Sequence, residues 1–574
     1  MKNFLGSIVG TIVGMAIFSV ISLIIMIAAV AVLSSDETES ISSNSVLKIK
    51  LQGQIADRSQ EGLMSVLGDD SDNIMGLDDF RKAISAAADD ESIKGILLEC
   101  GAFTTGHSTL REIREELKAF KEKGKFVYAY SGAYTQGGYY LCSVADSIFL
   151  NPQGVIDFRG LSYSTEFYKE LLSKIGVEMQ VVKVGTFKSY TEQYTNTQMS
   201  DSSRLQATEL IDDLWHTMLN EIGNSRGLTE KELQASADSF MTFRTADFAL
   251  KNRLVDAIAY GDEVSKTIAK KTGADKDKPN YIGIASYVKS LVPSTDSKEI
   301  AVVYAEGEID NGNNDGINTK KLSAQLLELK ADSSTKAVVL RVNSPGGSAY
   351  GSEQVWHAVN ELKKSKPVVV SMGDYAASGG YYISAAANVI VANPNTMTGS
   401  IGIFGVIPNA EELAEKIGID YDAVSTNKYS DFPCMWRKME SAELALVQKY
   451  VDNGYDVFLD RCANGRKLSK QQVGKVAEGR VWSGTAALKR QLVDTLGTLN
   501  TAIEIAANMA GLEEYGIGEY PEKESILDRL SHSPSLGVRA LKSRQMFQAE
   551  KDAIEKLKHI DMLQAALPCK IEIK

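Results

Sequence analysis

Apolar residues dominate the start of this chain without interruption. The stretch from Phe4 to Leu33 is almost wholly apolar, and no charged side chain lies between Asn3 and Ser35. A helix needs roughly 20 residues to cross a bilayer, whereas the apolar part of a cleavable signal peptide covers only about 7–15. The pattern therefore predicts an uncleaved transmembrane helix within residues 1–35.

Further along, short apolar runs alternate with segments of helical periodicity. The run KAVVLRV (336–342) is typical of a buried strand, and the segment that follows places Val355, Val359 and Leu362 on one helical face. Repeated strand–helix–strand units favour parallel strands joined by crossover helices. We therefore expect an α/β layered fold.

The chain carries this pattern twice. Residues 94–160 align with residues 336–402 at a constant shift of 242, without a gap, and weaker matches continue on both sides. Such a long period indicates a duplicated domain, not a short-repeat solenoid. The predicted divisions are a membrane anchor at 1–35, an N-terminal repeat at 36–290, a C-terminal repeat at 298–510 and a helical tail at 511–574.

Composition and charge narrow the possible functions. The net charge of −12 and the lack of a basic run argue against a nucleic-acid surface. The five cysteines include no CxxC pair, which favours neither a zinc site nor a disulfide framework.

Lys2 precedes the apolar stretch and DETES follows it, so the positive-inside rule puts the N-terminus in the cytoplasm and the remaining chain outside.

The two repeats differ at one loop. GDYAASGGYY (373–382) and SGAYTQGGYY (131–140) both end in Gly-Gly-Tyr-Tyr, but Gln136 stands where the later copy has Ser378. A serine at a strand-to-helix turn lies near the backbone N–H groups of the helix start, which makes it a candidate nucleophile. Taken alone, the weak Ser-Gly-Gly motif favours a helix N-cap at Ser378, with the glycines as turn residues. Asp374 is interpreted as a turn or capping residue before that helix.

A second difference accompanies the first. In NSPGGS (343–348) the turn glycines Gly346 and Gly347 can expose N–H donors for an oxyanion hole, together with Gly379. The N-terminal repeat has Thr104 and Thr105 in place of Gly346 and Gly347. A serine and a donor loop that are absent together indicate one lost function, because scaffold residues are kept in both copies.

A nucleophilic serine needs a base. No histidine lies between Ser378 and His532, so a Ser-His-Asp triad is poorly supported. A lysine can act as the base if burial lowers its pKa by several units from about 10.4. With 62 Lys and Arg residues, composition alone does not single one out.

Three motifs in order carry a family resemblance: NSPGGS, AASGGYYISAAAN and TGSIGIFGV (398–406). Together they resemble the signal peptide peptidase A family, also called protease IV, in its long form and over roughly residues 1–510. The resemblance implies two tandem repeats of the crotonase/ClpP-type fold after the anchor, with an inactive first repeat, an active second repeat and a Ser/Lys dyad.

The resemblance also implies residue roles. Ser378 is the nucleophile, and Lys188 in GTFKSYTEQY (185–194) is the general base, although Gln193 stands where the family often has proline. Ser400 matches the serine that orients the lysine. Lys428 in the second repeat is a competing base, since short family members take both residues from one repeat.

The expected function is then a membrane-anchored serine endopeptidase that needs neither a metal nor another cofactor. The family resemblance implies apolar peptide substrates, among them cleaved signal peptides, and a homotetramer held outside the cytoplasmic membrane by residues 4–33. The alternatives are a crotonase-type acyl-CoA enzyme and a catalytically inactive scaffold.

Overall fold

The computed structural model describes most of both repeats. The described residues are 14–15, 17–18, 41–60, 62, 73–274, 277–291, 299–310, 316–523 and, for the backbone only, 564–566. The predicted anchor at 4–33 lies outside them except for four residues. Within the described part of the chain, no helix is both long and apolar enough to cross a membrane.

The N-terminal repeat, called repeat 1 below, is built on a seven-stranded sheet. Its strands run in the order β2-β1-β3-β4-β5-β7, with β8 beside β1. The strands of repeat 1 are β1 (Ser45–Ala56), β2 (Met75–Gly76), β3 (Ile93–Thr104), β4 (Phe126–Tyr134), β5 (Ser147–Ile156), β6 (Glu178–Lys183), β7 (Ala257–Ile258) and β8 (Asn280–Gly283). Strand β6 lies outside this sheet. The helices are α1 (Leu77–Asp89), α2 (His107–Glu122), α3 (Gln136–Cys142), α4 (Lys169–Ile175), α5 (Glu192–Thr195), α6 (Asp201–Arg226), α7 (Glu230–Asp238), α8 (Ala246–Lys251), α9 (Gly261–Thr272) and α10 (Ile284–Ser290), with short 3-10 turns at Ser189–Thr191 and Met241–Phe243.

The C-terminal repeat, called repeat 2 below, is built on an eight-stranded sheet. Its strands run in the order β16-β14-β12-β10-β9-β18, and β13 joins β12 to β17. The strands that follow repeat 1 are β9 (Ile300–Glu306), β10 (Ala337–Ser344), β11 (Gly346–Ser348), β12 (Val368–Ala377), β13 (Val389–Ala392), β14 (Met397–Gly399), β15 (Phe404–Asn409), β16 (Val481–Ser483), β17 (Thr495–Leu496), β18 (Ile517–Tyr520) and β19 (Gln564–Ala566). Strands β11, β15 and β19 lie outside this sheet. The helices are α11 (Thr319–Ala331), α12 (Ala349–Lys363), α13 (Gly379–Ser384), α14 (Glu411–Lys416), α15 (Ser441–Arg466), α16 (Lys470–Val476), α17 (Gly484–Lys489) and α18 (Leu499–Ala510).

The central strands are parallel and buried, as the continuous apolar runs predict. Strand β10 pairs in parallel with β9 and β12, and its first six residues are buried. In helix α12 the predicted apolar face is buried as well, through Val355, Val359 and Leu362. This layering of helices on a mostly parallel sheet confirms the α/β prediction for the described residues.

A third sheet joins the two repeats. Strand β6 of repeat 1 pairs antiparallel with β15 of repeat 2, from Phe404 opposite Lys183 to Asn409 opposite Glu178. The chain of repeat 1 therefore lies against repeat 2 immediately before Lys188.

A buried ion cluster adds a second link between the repeats. Arg341 of β10 donates to Asp57 at 2.8 Å and to Glu112 at 2.7 Å, and all three side chains are almost completely buried. Burial alone would lower the pKa of Arg341, because it disfavours the charged guanidinium. The two carboxylates outweigh this effect, so the pKa of Arg341 is raised. Removing one partner of such a cluster typically costs about 3–5 kcal/mol, because a charge is left buried and unpaired.

The predicted helical tail at 511–574 lies largely outside the described residues, and its described parts contain two strands. Residues 517–520 form strand β18 beside β9, and residues 564–566 form strand β19 against β11. Edge strands present unpaired N–H and C=O groups, which another strand satisfies. The helical periodicity of the tail sequence carries no information about such an edge.

Candidate active site

Ser378 occupies the turn between strand β12 and helix α13. Its side chain is fully buried, and its N–H donates to Gly399 O at 2.8 Å. Its φ is +56° and its ψ is −113°, a conformation that residues with a Cβ rarely adopt. Such strain costs on the order of 1–3 kcal/mol and tends to persist at functional sites.

Lys188 reaches this turn from the other repeat. After β6, the Phe187 N–H donates to Glu478 O at 2.9 Å, which ties the loop to repeat 2. Gly479 lies so close that a Cβ on it would fall 2.7 Å from the Cβ of Lys188. Glycine at this position therefore lets repeat 2 cover the lysine stem.

The two side chains meet in the interior between the repeats. The Lys188 amine donates to Ser378 Oγ at 2.8 Å, to Ser400 Oγ at 3.1 Å and to Ser400 O at 3.2 Å. All three residues are fully buried. Burial lowers the pKa of Lys188 to about 7, because no carboxylate offsets the loss of water around the ammonium. Near neutral pH a large fraction of this amine is uncharged and able to accept a proton.

The Pro-Gly-Gly turn lies beside the serine. Gly346 and Gly347 both have positive φ, +106° and +150°. A Cβ on Gly379 would fall 3.2 Å from Gly346 Cα, so the two turns are in close contact. The Gly346 N–H donates to Ser344 Oγ at 3.2 Å. Gly347 and Gly379 are therefore the candidate donors to an oxyanion at Ser378.

Strand β19 lies along this turn. It pairs antiparallel with Gly346–Ser348, and Gln564 also lies opposite Phe404 of β15. An extended segment of the chain itself thus occupies the edge next to the serine. The same edge has the geometry needed to bind another peptide by strand addition.

Repeat 1 has a different arrangement at the equivalent place. Gln136 Oε1 accepts from the N–H groups of Arg159 at 3.0 Å and Gly160 at 2.9 Å. At the 242-residue shift, Phe158 stands where repeat 2 has Ser400, and its ring packs on Tyr139. The side chains at this place in repeat 1 offer neither a nucleophile nor a base.

The competing lysine, Lys428, lies on the surface of the protein. Lys428 is exposed on the loop before α15, with its ammonium 5.1 Å from the centre of the Tyr429 ring. Ser378 is fully buried.

Asp374 has a role that the sequence interpretation missed. Its carboxylate accepts from the N–H groups of Ser108 at 2.7 Å and Thr109 at 3.1 Å. It therefore caps helix α2 of repeat 1 and not the helix that follows Ser378. The glycine at position 106 is explained by this contact, because a Cβ there would fall 2.0 Å from the Asp374 side chain.

Comparison with known sequences assigns the family. The profile of peptidase family S49 matches residues 119–275 and 360–513, which places one match in each repeat, and the Clp protease profile matches residues 300–398. Protease 4 of Salmonella typhi is 37% identical over 83% of this chain and 79% of its own length. The chain belongs to peptidase family S49.

Other S49 relatives have similar extent. Protease 4 of Haemophilus influenzae is 34% identical over 85% of this chain and 83% of its own length. The chloroplastic serine protease SPPA of Arabidopsis thaliana is 29% identical over 83% of this chain and 70% of its own. This S49 peptidase is thus a serine protease of the protease IV type, built from two tandem repeats, and the acyl-CoA and scaffold alternatives are set aside.

Proposed function

We propose that this serine protease cleaves apolar peptides, among them signal peptides released after secretion, with Ser378 as nucleophile and Lys188 as general base. The observation that carries the proposal is the 2.8 Å contact between the buried Lys188 amine and Ser378 Oγ. A hydroxyl needs an adjacent base to attack a carbonyl, and a neutral amine at this distance meets that requirement.

The proposed reaction begins with proton transfer. The neutral amine of Lys188 takes the proton of Ser378 Oγ while the oxygen attacks the carbonyl carbon of the peptide. The N–H groups of Gly379 and Gly347 stabilise the oxyanion that forms, and one such donor is commonly worth about 3–4 kcal/mol. The Lys188 ammonium then gives its proton to the leaving amine nitrogen, which breaks the C–N bond.

The second half of the reaction releases the acyl group. A water molecule loses a proton to Lys188 and attacks the Ser378 ester, and the lysine returns that proton to Ser378 Oγ as the acid departs. Ser400 fixes the amine throughout, because its hydroxyl and carbonyl oxygens both lie within hydrogen-bonding distance of Lys188 Nζ. None of these steps uses a metal or another cofactor.

Two features support a peptide substrate outside the membrane. The edge at Gly346–Ser348 already accepts an extended segment, strand β19, in antiparallel pairing. The apolar stretch at residues 4–33, with charge on both sides, favours an anchor that holds the repeats at the outer face of the cytoplasmic membrane. Apolar peptides left in that membrane then lie within reach. The family resemblance adds a homotetramer to the proposal.

The test compares four forms of the full chain in a mild detergent: the wild type, Ser378→Ala, Lys188→Ala and Lys428→Ala. We measure hydrolysis of an apolar peptide and covalent labelling by a serine-reactive electrophile. Loss of both in the first two variants, with Lys428→Ala unchanged, supports the shared site. Loss in Lys428→Ala together with survival of Lys188→Ala would falsify the assignment of the base to repeat 1.

A further inference from the structure

The loop that carries the proposed base is held by contacts that the proposed reaction does not use. This base loop, residues 185–189, contacts Gln206 of helix α6, whose side chain is 5% exposed. Gln206 Oε1 accepts from the Val481 N–H at 2.7 Å. Its Nε2 donates to Phe187 O at 3.4 Å and to Ser189 Oγ at 3.3 Å. One buried amide therefore connects the residues on both sides of the proposed base to strand β16 of repeat 2.

The orientation of this amide follows from its partners. A backbone N–H can only donate, so the oxygen of Gln206 must face Val481 and its NH2 group must face the base loop. The bond to Val481 lies within the usual range for N–H···O bonds, whereas the two bonds to the base loop are long. The amide is thus fixed to repeat 2 and holds the base loop through two weaker bonds.

A second contact of helix α6 acts on the same loop. Glu209, one turn further along the helix, forms an ion pair with Arg480. The Arg480 guanidinium lies 4.6 Å from the centre of the Phe187 ring and 4.2 Å from that of the Trp482 ring. The carbonyl oxygen of Arg480 accepts from the Ser400 N–H at 2.7 Å. The segment that covers the base loop therefore also holds the serine that contacts the proposed base.

Repeat 2 shows that the helix itself does not need this glutamine. Helices α6 and α15 both have 26 residues, and end-to-end alignment places Leu446 where α6 has Gln206. Leu446 is 55% exposed, and its side chain has no hydrogen-bonding group. A helix of the same length thus forms with an apolar residue at this position. The amide of Gln206 therefore serves its partners and not its own helix.

The proposed role of Lys188 requires the base loop to stay closed. Among the described residues, burial alone accounts for the lowered pKa of the Lys188 amine. The charged side chains of the surrounding segments are Glu209 on α6, Glu478 and Arg480 before β16, and Glu192 on α5. None of these four contributes to that pKa. Water admitted to the amine would therefore return its pKa toward the ordinary value of about 10.4.

We propose that Gln206 is a positioning residue, which holds the base loop against repeat 2 and thereby keeps water away from the amine of Lys188. It acts through its bonds to the two neighbours of Lys188, since the amine itself bonds to Ser378 and Ser400. This role of Gln206 rests on the proposed function of Lys188 as general base.

The test compares the wild type with Gln206→Met and Asp213→Ala, each as the full chain in a mild detergent. Methionine has nearly the length of glutamine but forms none of its hydrogen bonds. Asp213 is the matched control, because it lies two turns further along α6 and accepts from Ser483 Oγ of β16 at 2.6 Å. Its loss removes a contact between the same helix and the same strand but leaves the bonds to the base loop in place.

The measured quantity is kcat/KM for an apolar peptide without ionisable groups, between about pH 6 and about pH 10. In Gln206→Met the midpoint of the profile should rise from about 7 by about one unit, because a partly hydrated amine holds its proton more tightly. Well below the midpoint the variant should be about tenfold less active, mainly in kcat, and near about pH 10 it should approach the wild type. Asp213→Ala should keep the wild-type midpoint.

Gln206→Glu tests the same step if the methionine variant does not fold, which thermal unfolding checks. Glutamate keeps an acceptor for the Val481 N–H but has no N–H group for the base loop, and its charge favours the protonated amine. The midpoint should therefore rise in this variant as well.

The midpoint separates a positioning role from a merely structural one. A loss of packing alone would lower activity at every pH and leave the midpoint in place. An unmoved midpoint in a folded Gln206 variant, or an equal rise in Asp213→Ala, would overturn the role of Gln206 and leave the proposed function standing. Hydrolysis that survives in Lys188→Ala would instead remove the base itself, and the role of Gln206 with it.

Discussion

The turn that holds Gln136 in repeat 1 and the turn that holds Ser378 in repeat 2 descend from one duplicated segment, yet only the second is strained. In repeat 1, Thr135 is a relaxed N-cap with φ −66°, and its side chain accepts from the Gly138 N–H at 3.1 Å. In repeat 2, Ser378 holds φ +56° and forms no side-chain capping bond.

This difference agrees with the proposed role of Ser378 as nucleophile. The Gly-Gly-Tyr-Tyr helix start, the strands and the sheet order persist in both copies. Where the serine is absent, the backbone forms an ordinary N-cap, and a glutamine fills the space with its own hydrogen bonds. The strained turn, the positive-φ glycines and the buried lysine occur together in one place only among the described residues.

The largest expected effect comes from moving the serine to the other repeat. The double variant Ser378→Ala with Gln136→Ser should lose peptide hydrolysis by a factor on the order of 10⁶, the loss typical when a serine protease lacks its nucleophile. The new serine would have Phe158 where Ser378 has Ser400, and Lys188 would remain in the other turn, where it contacts residue 378. Single-turnover hydrolysis measures the loss, and recovered activity would show that repeat 1 still holds a working site.

A smaller loss should follow from filling the oxyanion turn. A Cβ at Gly347 would lie 2.3 Å from Ile309 O, so Gly347→Ala has to displace the loop and its N–H. We expect kcat to fall by about 10²–10³-fold with less change in KM. Thr105→Ala, at the equivalent place in repeat 1, is the matched control and should leave kcat unchanged. Full activity in Gly347→Ala would remove this turn from the mechanism.

The pH dependence gives a third and weaker effect. Burial lowers the pKa of Lys188 to about 7, so kcat/KM should rise with pH, about tenfold per unit well below 7, and level off above it. The measurement uses a peptide substrate without ionisable groups, so that the pH profile reports on groups of the enzyme alone. A midpoint near the ordinary lysine value of about 10.4 would contradict the buried, neutral base.

The lowered pKa of Lys188 also makes the free energy of unfolding depend on pH. Between about pH 7 and about pH 10.4 the unfolded lysine is protonated and the folded one is not, so the unfolded state binds more protons. The free energy of unfolding should therefore gain a contribution from Lys188 that rises with pH across this window. Lys188→Met should abolish that rise, and chemical denaturation at several pH values measures it.

The smallest effect concerns the strained turn itself. Glycine adopts a φ near +56° without a Cβ penalty, so Ser378→Gly should raise the free energy of unfolding by about 1 kcal/mol while abolishing hydrolysis. Gln136→Gly in the relaxed turn should instead lower stability, because the hydrogen bonds of the glutamine are lost. A Ser378→Gly variant less stable than the wild type would mean that the turn stores no strain.

Much of the fold could be predicted from local patterns. The buried runs at β10 and β12 and the face of α12 follow from periodicity, and the duplication follows from a gapless alignment. The alignment also identifies Ser378, since a difference between two copies of one scaffold isolates the residue that is not structural. These signals are local or internal to the chain, so no knowledge of the packing is needed.

The proposed base, Lys188, could not be found in that way. The low pKa of Lys188 depends on its burial, and that burial depends on Gly479 and Ser400, which lie far along the chain. The cap formed by Asp374 and the strand at 564–566 have the same origin in contacts between distant segments. The family resemblance indicated Lys188. Neither the composition of the chain nor the spacing of its lysines did.

The proposed placement of the base in repeat 1 has a consequence during synthesis. Lys188 precedes Ser378 by 190 residues, which a ribosome takes about 10–40 s to add. Throughout that interval the lysine has no second repeat to cover it, so its amine stays hydrated and charged. In the proposed mechanism, an unfinished chain therefore has neither nucleophile nor working base, and the emerging polypeptide is protected from its own chemistry until its second half has folded onto the first.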